Sequence, residues 1–115
     1  LHLSRGLGDV YKRQSLGSAG DHLPVCAPKG QLGHLLGGAG AVETILALQA
    51  LRHGVLPGSL NADPLDPEVE LAVANRGPVQ LSSDQGQRLL LKNAFGFGGH
   101  NISLVLAGST PAQPG

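Results

Sequence analysis

Lys29 and His34 stand five residues apart in Lys-Gly-Gln-Leu-Gly-His, and Glu43 follows nine residues later at the end of Leu-Leu-Gly-Gly-Ala-Gly-Ala-Val-Glu. A tight turn leading into a helix would set His34 near a helix N-terminus. There the positive end of the helix dipole and a neighbouring ammonium both disfavour a second positive charge. A histidine so held is expected to stay neutral near pH 7 and to donate a hydrogen bond to developing negative charge. Glu43 lies about two and a half helical turns beyond His34, so it can join the site only through a neighbour that folds back onto it. Spacing alone also allows a helix-capping histidine and a solvated turn lysine.

The second chemical run is Asn93-Ala-Phe-Gly-Phe-Gly-Gly-His-Asn101. Two phenylalanines separated by glycine, with more glycine behind them, make a loop whose backbone can approach a ligand and can hinge. Its N–H groups could serve an oxyanion, and a ring could open or close a pocket. The plainer alternative is a hairpin whose two phenylalanines fill a core. Cys26 precedes Lys29 by three residues and is expected to be a small buried hydrophobe rather than a nucleophile. Gly38-x-Gly40 imitates a dinucleotide-binding turn, but its third glycine position holds Glu43, a carboxylate that would face a pyrophosphate. His22, Cys26, His34, His53 and His100 match no compact zinc spacing, so no metal is expected.

The elements that must position these residues follow from periodicity. Leu23-Pro-Val-Cys-Ala27 reads as a short buried strand and Lys29 to Gly33 as a glycine-bounded turn. From His34 or Leu35 to Arg52 the pattern is helical. Leu35, Ala39, Val42, Leu46 and Gln49 share one face, which Ile45 and Leu48 widen, and few charges interrupt it, so cover on most sides is expected. Gly37, Gly38 and Gly40 each cost helix propensity, which points to another backbone passing close to the helix start. Gly54 is placed to cap the C-terminus. Leu56 to Asn61 and Asp63 to Pro67 are extended connections, Val69 to Ala74 a short strand, and Asn75 to Gly86 a loop. Arg88 to Ala94 and Asn101 to Ala107 form a hairpin. Ser15 to Asp21 is a small-residue loop, and residues 109–115 are a Pro/Gly tail expected to be disordered.

Composition narrows the class. At 115 residues with 41% apolar but only 3% aromatic side chains, and 18 glycines, the chain can only just enclose a core. It suits one slice of a larger α/β protein. Eight basic residues balance eight acidic ones, so nothing suggests a polyanion-binding surface and no nucleic-acid partner is expected. A single cysteine excludes an internal disulfide framework and fits a reducing compartment. Neither a secretory leader nor a membrane span is expected, since the most apolar stretch, Leu35 to Leu51, is interrupted by Glu43, Thr44 and Gln49. Ser4 to Gln14 resembles the in-frame translation of a transposon-derived sequencing adapter, which sets residues 1–14 aside as extraneous to the fold.

Taken together, Lys-x4-His with Leu-Leu-Gly-Gly-Ala-Gly-Ala-Val-Glu, then Leu56-Pro-Gly-Ser-Leu-Asn61, then Asn93-x-Phe-Gly-Phe-Gly-Gly-x-Asn101 resemble, in order and in gaps, the C-terminal end of β-ketoacyl carrier-protein synthases. The likeness runs from about Leu23 to Ala107 and is strongest to the elongating type of dissociated bacterial fatty-acid synthesis. His100, where many members have threonine, looks like the actinobacterial variety.

The resemblance implies an α/β fold class, the C-terminal portion of a thiolase-like layered α-β-α-β-α fold, with residues 15–108 as the synthase portion. It implies a decarboxylative Claisen condensation of malonyl carrier protein with an acyl thioester. In it His34 matches the histidine that donates to the thioester oxygen, Lys29 the lysine that orders the site, and Glu43 its carboxylate partner. Phe97 matches a gating phenylalanine whose N–H helps form the oxyanion hole, with Phe95, Gly96, Gly98 and Gly99 around it. The family's cysteine nucleophile and first histidine belong to segments upstream of those present here. Implied partners are acyl- and malonyl-loaded acyl carrier protein and a second copy of the full-length enzyme. No cofactor and no membrane are implied, and the compartment is the bacterial cytoplasm, with the mitochondrion as alternative. Competing readings are a non-catalytic fragment or binding module, and a condensing domain of a polyketide synthase.

Overall fold

The computed structural model describes residues 14–82 and 86–109. Along the chain come a 3₁₀ turn at Gly17–Asp21, helix α1 at Lys29–Leu32, a second 3₁₀ turn at Leu36–Gly38, and helix α2 at Ala39–His53. Strands β1 (Val55–Leu56), β2 (Val79–Gln80), β3 (Gln87–Gly96) and β4 (His100–Ser109) follow. Residues 1–13 and 110–115, on which the adapter-like peptide and most of the Pro/Gly tail fall, lie outside the described residues.

Alanine, leucine and glutamate favour α2 from within. Gly54 ends it in the left-handed conformation (φ 69°, ψ 25°), its N–H donating to the Ala50 carbonyl. The helix starts at Ala39, later than the periodicity predicts. Gly33 at φ 73° and Leu36 at φ 50° turn the chain away from helical dihedrals before it. The expected close approach at Gly37, Gly38 and Gly40 is not found among the described residues, where a Cβ at any of the three would meet open space. Tight places lie elsewhere, among them Gly30, where a Cβ would stand 2.7 Å from the Leu60 carbonyl oxygen, Gly58, where one would stand 2.9 Å from the Gly77 carbonyl carbon, and Gly108, where one would stand 2.9 Å from Leu51 Cβ.

The helix face that packs differs from the expected one. Ala39, Ala47, Ala50 and Leu51 are buried, whereas Val42, Ile45 and Leu48 are exposed. Small side chains let the helix backbone sit close to the hairpin, so the alanines define the covered stripe and the larger aliphatics flank it. Cover on most sides is therefore not seen among the described residues.

β3 and β4 pair antiparallel without a break from Gln87↔Ser109 to Gly96↔His100. Both strands run longer than expected, leaving Phe97, Gly98 and Gly99 as the turn. Gly98 (φ 89°) and Gly99 (φ 82°) supply the left-handed dihedrals it needs. Strand alternation puts Arg88, Leu90, Lys92 and Ala94 on one face, and α2 packs there, with Leu51 over Gly108. Two basic side chains pin the helix along its length. Arg88 Nη1 donates to the Leu51 carbonyl (3.4 Å), where the helix dipole is negative, and Lys92 reaches Glu43. The four residues from Arg88 to Lys92 span about 13 Å of strand. The eight from Glu43 to Leu51 span about 12 Å of helix, so the two anchors share one spacing.

The remaining segments are held by single contacts rather than by the strands expected at Leu23–Ala27 and Val69–Ala74. Val25 and Val73 form one parallel bridge, closed by Val25 N–H to Ala72 O and Ala74 N–H to Val25 O, each 2.9 Å. Proline at position 24 and the short 71–74 stretch leave no room for a longer ladder. The loop expected at Asn75–Gly86 contains β2, which pairs with β1 through Val55↔Gln80 and Leu56↔Val79. No helix of the described residues is long and apolar enough to cross a membrane.

Candidate active site

Lys29 opens α1, and the loop after that helix carries His34. The Leu56–Asn61 connection holds both in place. Buried Ser59 accepts the Ala27 N–H on its hydroxyl (2.9 Å) and donates its own N–H to the Ala74 carbonyl (2.7 Å). Gln31 Nε2 donates to the Gly58 carbonyl (2.5 Å). Gly30 rests against Leu60 with no room for a side chain. The Leu-Pro-x-Ser-Leu-Asn run thus buttresses the lysine and histidine loop.

His34 Nδ1 accepts the Leu36 N–H at 2.9 Å. An accepting Nδ1 carries no proton, so in the neutral ring Nε2 bears it and is the ring's donor. The same bond holds Leu36 at φ 50°, a left-handed conformation that costs a branched residue on the order of 1 kcal/mol or more. The histidine therefore does not cap α2. It sits in the loop before the 3₁₀ turn, five residues ahead of the helix.

Glu43 is the fold-back partner that spacing required, but for Lys29. Lys29 Nζ stands 2.5 Å from Glu43 Oε1, and Lys92 Nζ 3.1 Å from Oε2. The two ammonium groups differ: the Lys29 side chain is 49% exposed, that of Lys92 only 8%. Burial pushes the Glu43 carboxyl upward, but hydrogen bonds and charge from Lys29 and Lys92 outweigh it and hold the group below the ordinary carboxylate range. Lys92 was not among the residues identified from the sequence. The signal was slight: Lys92 is in step with Arg88, Leu90 and Ala94, but Leu89 and Leu91 make the opposite face equally apolar, so alternation does not say which face is covered.

Cys26 is half-buried, and burial followed by the Glu43 charge pushes its thiol up, so it is not an activated nucleophile. Alkylation of Cys26 by iodoacetamide near neutral pH is expected to run slower in the folded chain than in urea. Equal rates would refute a protected thiol. Phe95 near the end of β3 and Phe97 in the turn both lie in the open, the latter fully exposed at 102%, so neither fills a core. Gly96 and Gly98 flank Phe97 in the turn. An open cleft of about 630 Å³ is lined by Gln31, by Pro57 to Asn61 of the Leu-Pro-x-Ser-Leu-Asn motif, and by Asp63, Asn75 and Arg76, but not by Lys29, His34, Glu43 or Phe97. Among the described residues no three His, Cys, Asp or Glu side chains gather as metal ligands.

A family model of the β-ketoacyl synthase C-terminal domain matches residues 4–63, taking in Lys29, His34 and Glu43 together with part of the stretch set aside above. The chain belongs to the β-ketoacyl synthase family. The chain is 41% identical over 101 residues to 3-oxoacyl-[acyl-carrier-protein] synthase 2 of Mycobacterium tuberculosis, covering 86% of this chain and 23% of that protein. It is 42% identical over 85 residues to the mitochondrial 3-oxoacyl-[acyl-carrier-protein] synthase of Arabidopsis thaliana, covering 74% and 18%. It is 35% identical over 93 residues to synthase 2 of Synechocystis, covering 81% and 21%. The chain therefore spans about a fifth of the length of these relatives. The family's C-terminal domain is thiolase-like, and the mixed helices and strands here, with α2 packed on the β3–β4 hairpin, are compatible with that α/β class.

Proposed function

We propose that the chain is the C-terminal part of an elongating β-ketoacyl-acyl-carrier-protein synthase, with residues 15–108 as its synthase portion and residues 1–14 extraneous to it. In this reading an acyl group is held as a thioester on a cysteine elsewhere in the longer protein. Malonyl carrier protein loses CO2, the electron pair left on its α-carbon attacks the acyl carbonyl, and the cysteine thiolate leaves. As CO2 departs, negative charge collects on the malonyl thioester oxygen. His34 meets that charge through Nε2–H. The observation that carries this assignment is the Leu36 N–H donated to Nδ1, which leaves the ring proton on Nε2. Lys29 and Glu43 order the local field. Phe97, exposed on its glycine-flanked turn, supplies the gate and an oxyanion N–H, with Phe95, Gly96 and Gly98 shaping the approach.

Acyl carrier protein delivers both substrates, the working enzyme is a homodimer, and its compartment is the bacterial cytoplasm or an organelle. The identities to 3-oxoacyl-[acyl-carrier-protein] synthases support the carrier. In the longer protein, His34→Ala is expected to slow malonyl decarboxylation about 100- to 1,000-fold, the range for loss of one oxyanion donor, while the nucleophile still becomes acylated. Decarboxylation within tenfold of the unmodified rate would sink the assignment.

A second reading concerns the 115 residues alone. With its only cysteine half-buried and its thiol raised, the isolated chain performs no acyl transfer. Stoichiometric acylation of Cys26 by a cysteine-directed synthase inhibitor would overturn that.

A further inference from the structure

Lys92 stands outside the motifs that mark the family, immediately before Asn93. Its ammonium is nevertheless 3.1 Å from Glu43 Oε2, and its side chain is only 8% exposed. We propose that Lys92 is a positioning residue: it clamps Glu43 from β3 and so couples the strand leading into the Phe97 turn to the loop that carries Lys29 and His34.

A carboxylate held at one oxygen by an exposed lysine keeps its freedom to rotate, because a solvated ammonium on a four-carbon stem has many alternatives in water. Held at both oxygens, once from α1 and once from a strand, the Glu43 head group has a single orientation. Lys92 cannot relax into water from its buried place, so its position relative to α2 is set by the carboxylate. β3 transmits that position. The strand stays in unbroken register with β4 as far as Gly96↔His100, and Phe97 comes five residues after Lys92. The charged groups facing Glu43 are Lys29 from α1 and Lys92 from β3, and the Cys26 thiol beside Val25 also senses its charge. Protonation of Glu43 would release both lysines and loosen the strand at the base of the gate.

The positioning role rests on the synthase reading, whereas the clamp and its transmission to the turn do not, and they are what the experiment reads. The 115-residue chain is labelled with ¹³C at glutamate carboxyls and ¹⁵N throughout, then titrated by NMR. In the unmodified chain, Lys92 Nζ and the amides of residues 96–99 are expected to follow the Glu43 midpoint. In Lys92→Met the Glu43 midpoint is expected to move upward and the turn amides to stop responding to it, while Lys92→Arg restores both. Packing alone would not link turn amides to a carboxyl midpoint. The proposal is overturned if Lys92→Met leaves the Glu43 midpoint in place, or if the turn amides of the unmodified chain ignore it. Should Lys92→Met not fold, the unmodified titration decides by itself. Failure of the longer protein to condense substrates would sink the synthase reading and leave these titrations standing.

Discussion

Glu43→Gln is expected to destabilise the chain by about 3–5 kcal/mol at neutral pH, the usual cost of removing one partner from a buried ion pair. Most of that comes from Lys92 and little from Lys29. The Lys29 ammonium is half exposed and re-enters water when its partner is neutralised. Lys92 is left as a buried cation facing an amide. A domain of this size holds about 5–15 kcal/mol in total, so the urea midpoint should fall sharply or the cooperative transition vanish. Lys92→Met added to Glu43→Gln should recover a large part of the loss, because removing both members of a buried pair is far milder than orphaning one. The pH dependence has a fixed sign. The folded Glu43 carboxyl lies below its unfolded counterpart, so its stabilisation is complete above the unfolded value of about 4.3. It is lost as pH falls through the folded value. Glu43→Gln should therefore flatten the acid limb of a stability-against-pH curve, and an unchanged limb would show that Glu43 is not the group responsible.

How much of this was legible in the sequence depends on which interaction carried the information. The Lys29–Glu43 pair was marked by a motif with definite gaps, and the need for a fold-back neighbour followed from helical rise alone. The hairpin was legible too, since two apolar runs flank a glycine-rich turn. Lys92 was not read, because a lone lysine in a strand can snorkel to water, and only the placement of α2 over β3 denies it that route. The packed face of α2 was misassigned for a related reason. Periodicity weights large aliphatics such as Ile45 and Leu48, whereas the hairpin selects the small side chains Ala39, Ala47 and Ala50, which allow close approach. The late helix start turns on Leu36, whose left-handed dihedral no propensity would assign to leucine and which is held by the His34 ring. β1 and β2, two residues each, are too short to show alternation.

Leu51→Ala should cost about 2–5 kcal/mol, the span for truncating a buried leucine, and should act on the candidate site from the opposite end of α2. Leu51 is 1% exposed, the most deeply buried large side chain among the described residues. It seats the helix where Gly108 leaves the β4 surface bare, and its own carbonyl accepts from Arg88. Truncation opens a void where α2 approaches β4 at Gly108, and an apolar void there has no solvent to fill it. Because Arg88 and Lys92 match the spacing of Leu51 and Glu43, a helix that shifts at Leu51 also shifts at Glu43. Loss should therefore appear as a lower urea midpoint at unchanged m-value and as faster hydrogen exchange in both β3 and α2. Gly108→Ala tests the same contact from the strand side. Its added methyl would meet Leu51 Cβ at 2.9 Å, an overpacking cost of about 1–3 kcal/mol. Leu51→Ala should not rescue it, since alanine keeps the Cβ that clashes. Full rescue by that double variant would mean that the outer atoms of Leu51, and not the helix backbone carrying its Cβ, set the distance between α2 and β4.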